Sequence, residues 1–227
     1  MNREARRVEM DGLDVLAFIF FSALEWLALI VLTFAIFKFP LRGYWGRLLF
    51  SALMLSFLSY LILVALDLAL YGSFMQLPIV FLYFWQLFRI PVFYAGLMVV
   101  NGYMLYTLLQ AAILFVFQNA GIMVMPNVPT AFVVQTITAC VAFFMAWLLV
   151  RKNMGFTFVP DTERIKVKWT KLNVRLLAMS IFGYIAISTF YHLYFNGYIS
   201  VAILVLSIII FAFFQMLVFK KEFNHND

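Results

Sequence analysis

The stretch FSALEWLAL, residues 21–29, places the carboxyl group of Glu25 inside an apolar run long enough to cross a bilayer. An acid in that position has two chemical uses. As a neutral carboxylic acid it donates one hydrogen bond to a neighbouring helix; as a titrating group it couples a proton or a ligand to the protein. Both readings are open on sequence alone, because no Lys or Arg lies near mid-membrane to hold a carboxylate as an ion pair. On insertion scales an acid at the helix centre costs roughly 2.5–3.5 kcal/mol, and each Leu, Ile or Phe returns about 0.3–0.6 kcal/mol. A run this rich in Phe, Leu and Ile therefore carries one acid and still inserts.

Other polar residues stand at the ends or along the sides of apolar runs. Asp67 and His192 fall near the ends of the second and sixth runs, where they could pair with each other or hold a polar ligand group; wetted helix ends are the plainer reading. Gln110 shares a run with Asn101 and Gln118, but Asn101 and Gln110 are nine residues apart and so point about 180° away from each other on a helix. These amides cannot all line one pocket, and interhelical hydrogen bonds of around 0.6 kcal/mol each account for most of them. The single cysteine, Cys140, excludes an internal disulfide and any multi-cysteine metal site. No H-E-x-x-H, G-x-S-x-G, paired-glutamate motif or glycine-rich phosphate loop is present. Cys140 and His192 could form a thiol and its base only by meeting across helices, and a buried structural thiol is the simpler expectation. Neither an enzyme, nor a cofactor, nor a metal centre is expected.

The elements that position these residues follow from composition. Two thirds of the 227 residues are hydrophobic, 11% are charged and the mean hydropathy is +1.02, so no water-soluble surface can be assembled from the chain. Runs of about 20 apolar residues span a hydrocarbon core of roughly 30 Å. Seven such runs predict an all-α, polytopic transmembrane bundle forming a single domain over residues 1–227. The helices are expected at about 13–37, 48–71, 73–88, 91–118, 130–150, 172–194 and 198–219. The third run is short, begins after the turn-like YGS and contains Pro78, so six crossings remain an alternative. No small-residue cleavage pattern follows MNREARRVEMDGLD, and the first apolar segment is expected to be retained.

Basic residues concentrate between the fifth and sixth runs, in a loop over 151–171 that carries Arg151, Lys152, Arg164, Lys166, Lys168 and Lys171. The excess of Lys and Arg on cytoplasmic loops places this stretch inside the cell. Seven crossings then put the N-terminus outside and KKEFNHND in the cytoplasm, with thirteen of the sixteen basic residues inside; six crossings give the same partition. An internal echo favours seven. Phe37-Lys38-Phe39-Pro40 precedes the second run and Phe88-Arg89-Ile90-Pro91 the fourth, and GFTFVP ends at Pro160 ahead of the sixth. If these mark repeated hairpins, the connections share one side of the membrane. Short basic connections of this kind, without interleaved aromatics on a polar surface, argue against nucleic acid as a partner.

On the first helix Asp14 and Glu25 lie about 20° apart, with Ala17, Ala28 and Ala35 within roughly 80° of them. That small, acidic stripe is expected to face other helices. Trp45, Tyr44, Tyr71, Trp169, Tyr194 and Tyr198 fall near predicted helix ends, as interfacial anchors do.

Hydrophobic hairpins joined by basic, proline-bearing turns, FKFPLR and FRIPVF, followed by a basic inner loop, resemble the multi-pass sensor regions of Gram-positive peptide-sensing histidine kinases of the accessory-gene-regulator type. The likeness covers the whole chain as architecture and rests on no diagnostic motif, so it carries over no binding residue. It implies a sensor of the cell membrane with an outward pocket for an apolar or peptide ligand. Those kinases continue into a phosphoacceptor helix and an ATP-binding domain, whereas this sequence ends at Asp227, so the resemblance implies an output domain or a separate cytoplasmic signalling partner or kinase. The inner loop would contact that partner or anionic lipid of the bilayer. A small transporter or substrate-binding membrane subunit using Glu25 as its coupling acid, and a membrane assembly factor, are the rival classes.

Overall fold

The computed structural model describes residues 12–41, 43–66, 68, 71–122, 129–160, 167, 169–195 and 201–226. Among these residues the chain forms seven α-helices and no strand: α1 Gly12–Ile36, α2 Trp45–Tyr60, α3 Gly72–Leu82, α4 Val92–Asn119, α5 Pro129–Arg151, α6 Lys171–Phe195 and α7 Val201–Asn226. Two of them end in a five-residue π turn, α2 over Leu61–Ala65 and α3 over Tyr83–Leu87. Six helices are long and apolar enough to cross a membrane, and α3 contributes a shorter apolar helix over Phe74–Leu87. The chain is therefore built as a multi-pass membrane protein. Two boundaries depart from those expected. The helical part of α2 ends at Ala65 rather than near residue 71, and α7 runs through the basic tail to Asn226 rather than stopping near 219. No Gly or Pro lies in KKEFNHN to stop it.

The helices alternate in direction. Near one end of the bundle Phe18 of α1 packs on Tyr60 of α2, with ring centroids 5.9 Å apart, and Phe21 stacks on Phe132 of α5 at 4.9 Å. At the other end Phe34 of α1 meets Phe84 and Phe88 at the close of α3, at 5.4 and 4.9 Å. Beside them Phe37 packs on Phe156, just past α5, and Phe156 on Phe219 of α7. The short α3 runs antiparallel to α2 along most of its length. A Cβ at Gly72 would press on the Leu63 side chain, and the Arg47 guanidinium at the start of α2 donates to the Leu87 carbonyl at 3.2 Å. A re-entrant third segment would have returned both its ends to one side; these ends lie against opposite ends of α2.

The echoed tetrapeptides are helix stops. Lys38 and Arg89 both adopt positive φ, 46° and 57°, one residue before the residue that precedes proline. At the end of α1 the Lys38 N–H donates to Ala35 O and the Phe39 N–H to Phe34 O, the paired bonds of a Schellman ending. At α3 the wider π turn moves the corresponding bonds to Phe88 N–H on Tyr83 O and Ile90 N–H on Phe84 O. Asn153, with φ 52°, closes α5 in the same way. All three stops lie at the aromatic end.

Helix α1 is central, packed against α2, α4 and α5. From Ala28 to Phe37 every one of its residues is buried, so its lower half has no lipid face at all. The acidic alanine stripe crosses both halves of α1: Ala28 and Ala35 are buried among other helices, whereas Asp14, near the start, is exposed. Gly102 of α4 makes the α1–α4 crossing close: a Cβ there would run into the Thr33 side chain, which is itself fully buried.

Candidate functional site

Helix α1 carries Glu25 about midway along its length, half-buried. Two amides converge on its carboxyl group. Gln110 of α4 donates from Nε2 to Glu25 Oε1 at 3.4 Å, and the side chain of Gln135, on α5, stands beside the same carboxyl. Three helices thus bring one acid and two amides together in surroundings that are otherwise apolar. The Gln110 contact is at the long end of the hydrogen-bond range. The Gln135 Oε1 atom is buried and has no partner among the described residues. An unpaired buried acceptor costs roughly 1–3 kcal/mol, so this oxygen is the place where a ligand N–H or O–H, or a proton on Glu25 after rotation of the amide, would find an acceptor.

Two further polar joints flank the cluster. Trp26, next to Glu25 on α1, donates from its indole N–H to Ser59 Oγ of α2 at 2.9 Å, and Gln76 of α3 donates to the same oxygen at 3.0 Å. Asn101 of α4 is fully buried and accepts at Oδ1 from Gln215 of α7 at 3.2 Å. The half-turn offset between Asn101 and Gln110 therefore aims the first at α7 and the second at α1.

The aromatic end is closed by the connection after α5. Gly155, at φ 142°, lies so close to the end of α1 that a Cβ would stand 2.6 Å from the Ile36 carbonyl oxygen. Its lack of a side chain lets the Phe156 N–H donate to that oxygen at 2.7 Å. Phe156 and Phe158 pack around Phe37, and Tyr94 of α4 packs on Phe158. One residue on, Thr157 gives both its backbone N–H and its hydroxyl to the Glu222 carboxylate of α7, at 2.8 and 2.6 Å. The connection is thus fastened to both the first and the last helix.

Of the residues expected to act, Glu25 and Gln110 come together, joined by Gln135, which the sequence did not single out. Asp67 lies outside the described residues, as does the side chain of His192, whose backbone belongs to α6. Cys140 is exposed on α5, not buried as a structural thiol would be. Exposed side chains in a membrane helix face lipid or a neighbour, and Ala139 and Ala142 take the inward positions instead. Among the loop cations Arg151, Lys152 and Lys171 are exposed, and Arg151 lies over the Trp147 ring at 5.0 Å. Arg164, Lys166 and Lys168 lie outside the described residues. No group of three or more potential metal ligands occurs among the described residues. Comparison with protein-family models, curated proteins and solved structures returns no match to this chain.

Proposed function

We infer that the protein is a sensor or receptor-like module of the cell membrane that receives an apolar or peptide ligand and signals to a cytoplasmic partner or kinase. The supporting observation is a continuous line of contacts between a polar site and a fastened inner connection. Glu25 sits on α1, whose final carbonyl at Ile36 holds Phe156; the neighbouring Thr157 holds Glu222 on α7. A ligand group that drew Glu25 or Gln135 from its present partners would bias the position of α1, and α1 ends on the connection that the partner would read. The long Gln110 contact and the unpaired Gln135 oxygen supply the differential interaction that such a bias needs. In this reading the exposed cations Arg151, Lys152 and Lys171 contact the partner or the anionic surface of the inner leaflet.

Spin labels at positions 152 and 220, both exposed at the aromatic end, test the coupling in nanodiscs. Glu25→Gln is expected to shift the distance distribution between them. An unchanged distribution in a folded variant removes the coupling on which the sensor reading depends. The rival reading, a small transporter, is favoured by the same carboxyl group with its two amides, since this set can take up and release a proton. It predicts that wild-type proteoliposomes acidify in response to a pH gradient and that Glu25→Gln abolishes the flux, with the label distances unchanged.

A further inference from the structure

We propose that the wedge between α3, α4 and α6 at the basic end is a binding site for one anionic phospholipid. This site is distinct from the Glu25 cluster, and the proposal goes beyond the sensor reading. Higher in the bundle α3 and α6 touch: the Tyr184 hydroxyl donates to the Phe74 carbonyl at 3.0 Å, and the two rings meet edge to face. Toward the basic end the helices part and leave a cleft of ≈ 1130 Å³, with α4 as its floor. Gly96 lowers that floor; a Cβ there would touch only the Phe81 ring, at 3.8 Å. Phe81 and Leu177 supply apolar lining.

Polarity changes at the mouth. Arg89, held at positive φ by the helix stop, stands there with Gln86, and Trp85 and Trp169 line the same opening. Trp85, Trp169 and Leu177 are each more than a third exposed, so the cleft is open toward the surrounding lipid. Trp85 is four residues before Arg89, and Trp169 is two before Lys171, where α6 begins. This is the headgroup level of a membrane protein, where aromatic rings and basic residues anchor. A guanidinium and an amide above an apolar slot match a phosphate ester above an acyl chain, because Arg offers paired donors to phosphate oxygens. A zwitterionic lipid satisfies the slot equally well but brings its own cation to the mouth. The selectivity is therefore for net negative charge.

The test uses the whole protein in nanodiscs and reads tryptophan fluorescence against brominated lipids. At equal mole fraction, brominated phosphatidylglycerol is expected to quench more strongly than brominated phosphatidylcholine. The ratio of association constants should be roughly fivefold, the size that one basic residue at an anionic interface supplies. The excess should vanish in Trp85→Phe/Trp169→Phe, which removes the local reporters, and in Arg89→Gln, while Arg89→Lys keeps most of it. Lys220→Gln, exposed at the same end but off the cleft, should leave it intact. Equal quenching by the two lipids in the wild type overturns the proposal, as does an excess that survives Arg89→Gln or falls equally with Lys220→Gln. If Arg89→Gln does not fold, Gly96→Leu decides: it leaves the charge in place and fills the floor, and a full excess in that variant overturns the site.

Discussion

At the residue scale the informative atom is Gln135 Oε1, an acceptor buried without a donor beside a carboxyl that already takes a hydrogen bond from Gln110. A purely structural network would be expected to use it. Interhelical hydrogen bonds in membranes average about 0.6 kcal/mol, and replacing Gln135 by Leu removes at most one such interaction together with the orphaned oxygen. The expected change in stability is below about 1 kcal/mol in either direction, measured by reversible unfolding in mixed micelles; a loss above about 2 kcal/mol would mark the cluster as structural glue. Glu25 was legible in the sequence because an acid stands out in an apolar run. Gln110 was legible as pointing away from Asn101, by helix periodicity. Gln135 was not, since one amide on a 23-residue helix says nothing about which neighbour it meets. The pairing of Thr157 with Glu222 was hidden for a related reason: 65 residues separate them, and neither lies within an apolar run where it would be conspicuous.

At the element scale the close crossing of α1 and α4 depends on a residue with no side chain. Gly102→Ala places a methyl group against Thr33, and overpacking of this kind costs about 1–3 kcal/mol. The loss should appear as reduced thermal stability, partly restored by Thr33→Ala, which removes the hydroxyl and methyl that the new group meets. Helix number and type were legible because runs of about 20 apolar residues admit little else. The ends of α2 and α7 were not. A π turn has no distinct composition, and the fastening of Glu222 by Thr157 is a tertiary contact that the tail sequence does not announce. The FKFP and FRIP echo carried more than its four residues suggested, since each tetrapeptide holds a basic residue in the left-handed region at a helix end. The small, acidic stripe on α1 was the weakest guide, because the second half of the helix is enclosed on every side and has no single inward face, while Asp14 in the first half is exposed.

At the scale of the whole molecule, seven alternating helices place the ends of the described chain at opposite ends of the bundle. With the basic end inside, impermeant labels on whole cells are expected to reach a tag at the N-terminus and not one at the C-terminus. Counting apolar runs and basic loops could not separate seven crossings from six, because both partition the charges alike; the structure has six helices of spanning length and a shorter α3 that runs antiparallel to α2. The connection after α5 ties the bundle together through Thr157 and Glu222. Thr157→Val and Glu222→Gln should each raise the rate of tryptic cleavage after residues 151–175 several-fold, with the double variant no faster than either alone, as expected for two halves of one contact. The π turns at Leu61–Ala65 and Tyr83–Leu87 carry a final consequence. Each accommodates one residue more than ordinary coiling would, so each is slack in the chain. Deleting one residue there, Leu63 for instance, should let the coil tighten without changing the register of anything before it. The same excision at Leu53, amid regular turns, should swing the remainder of that rod by about 100° and abolish expression of folded protein.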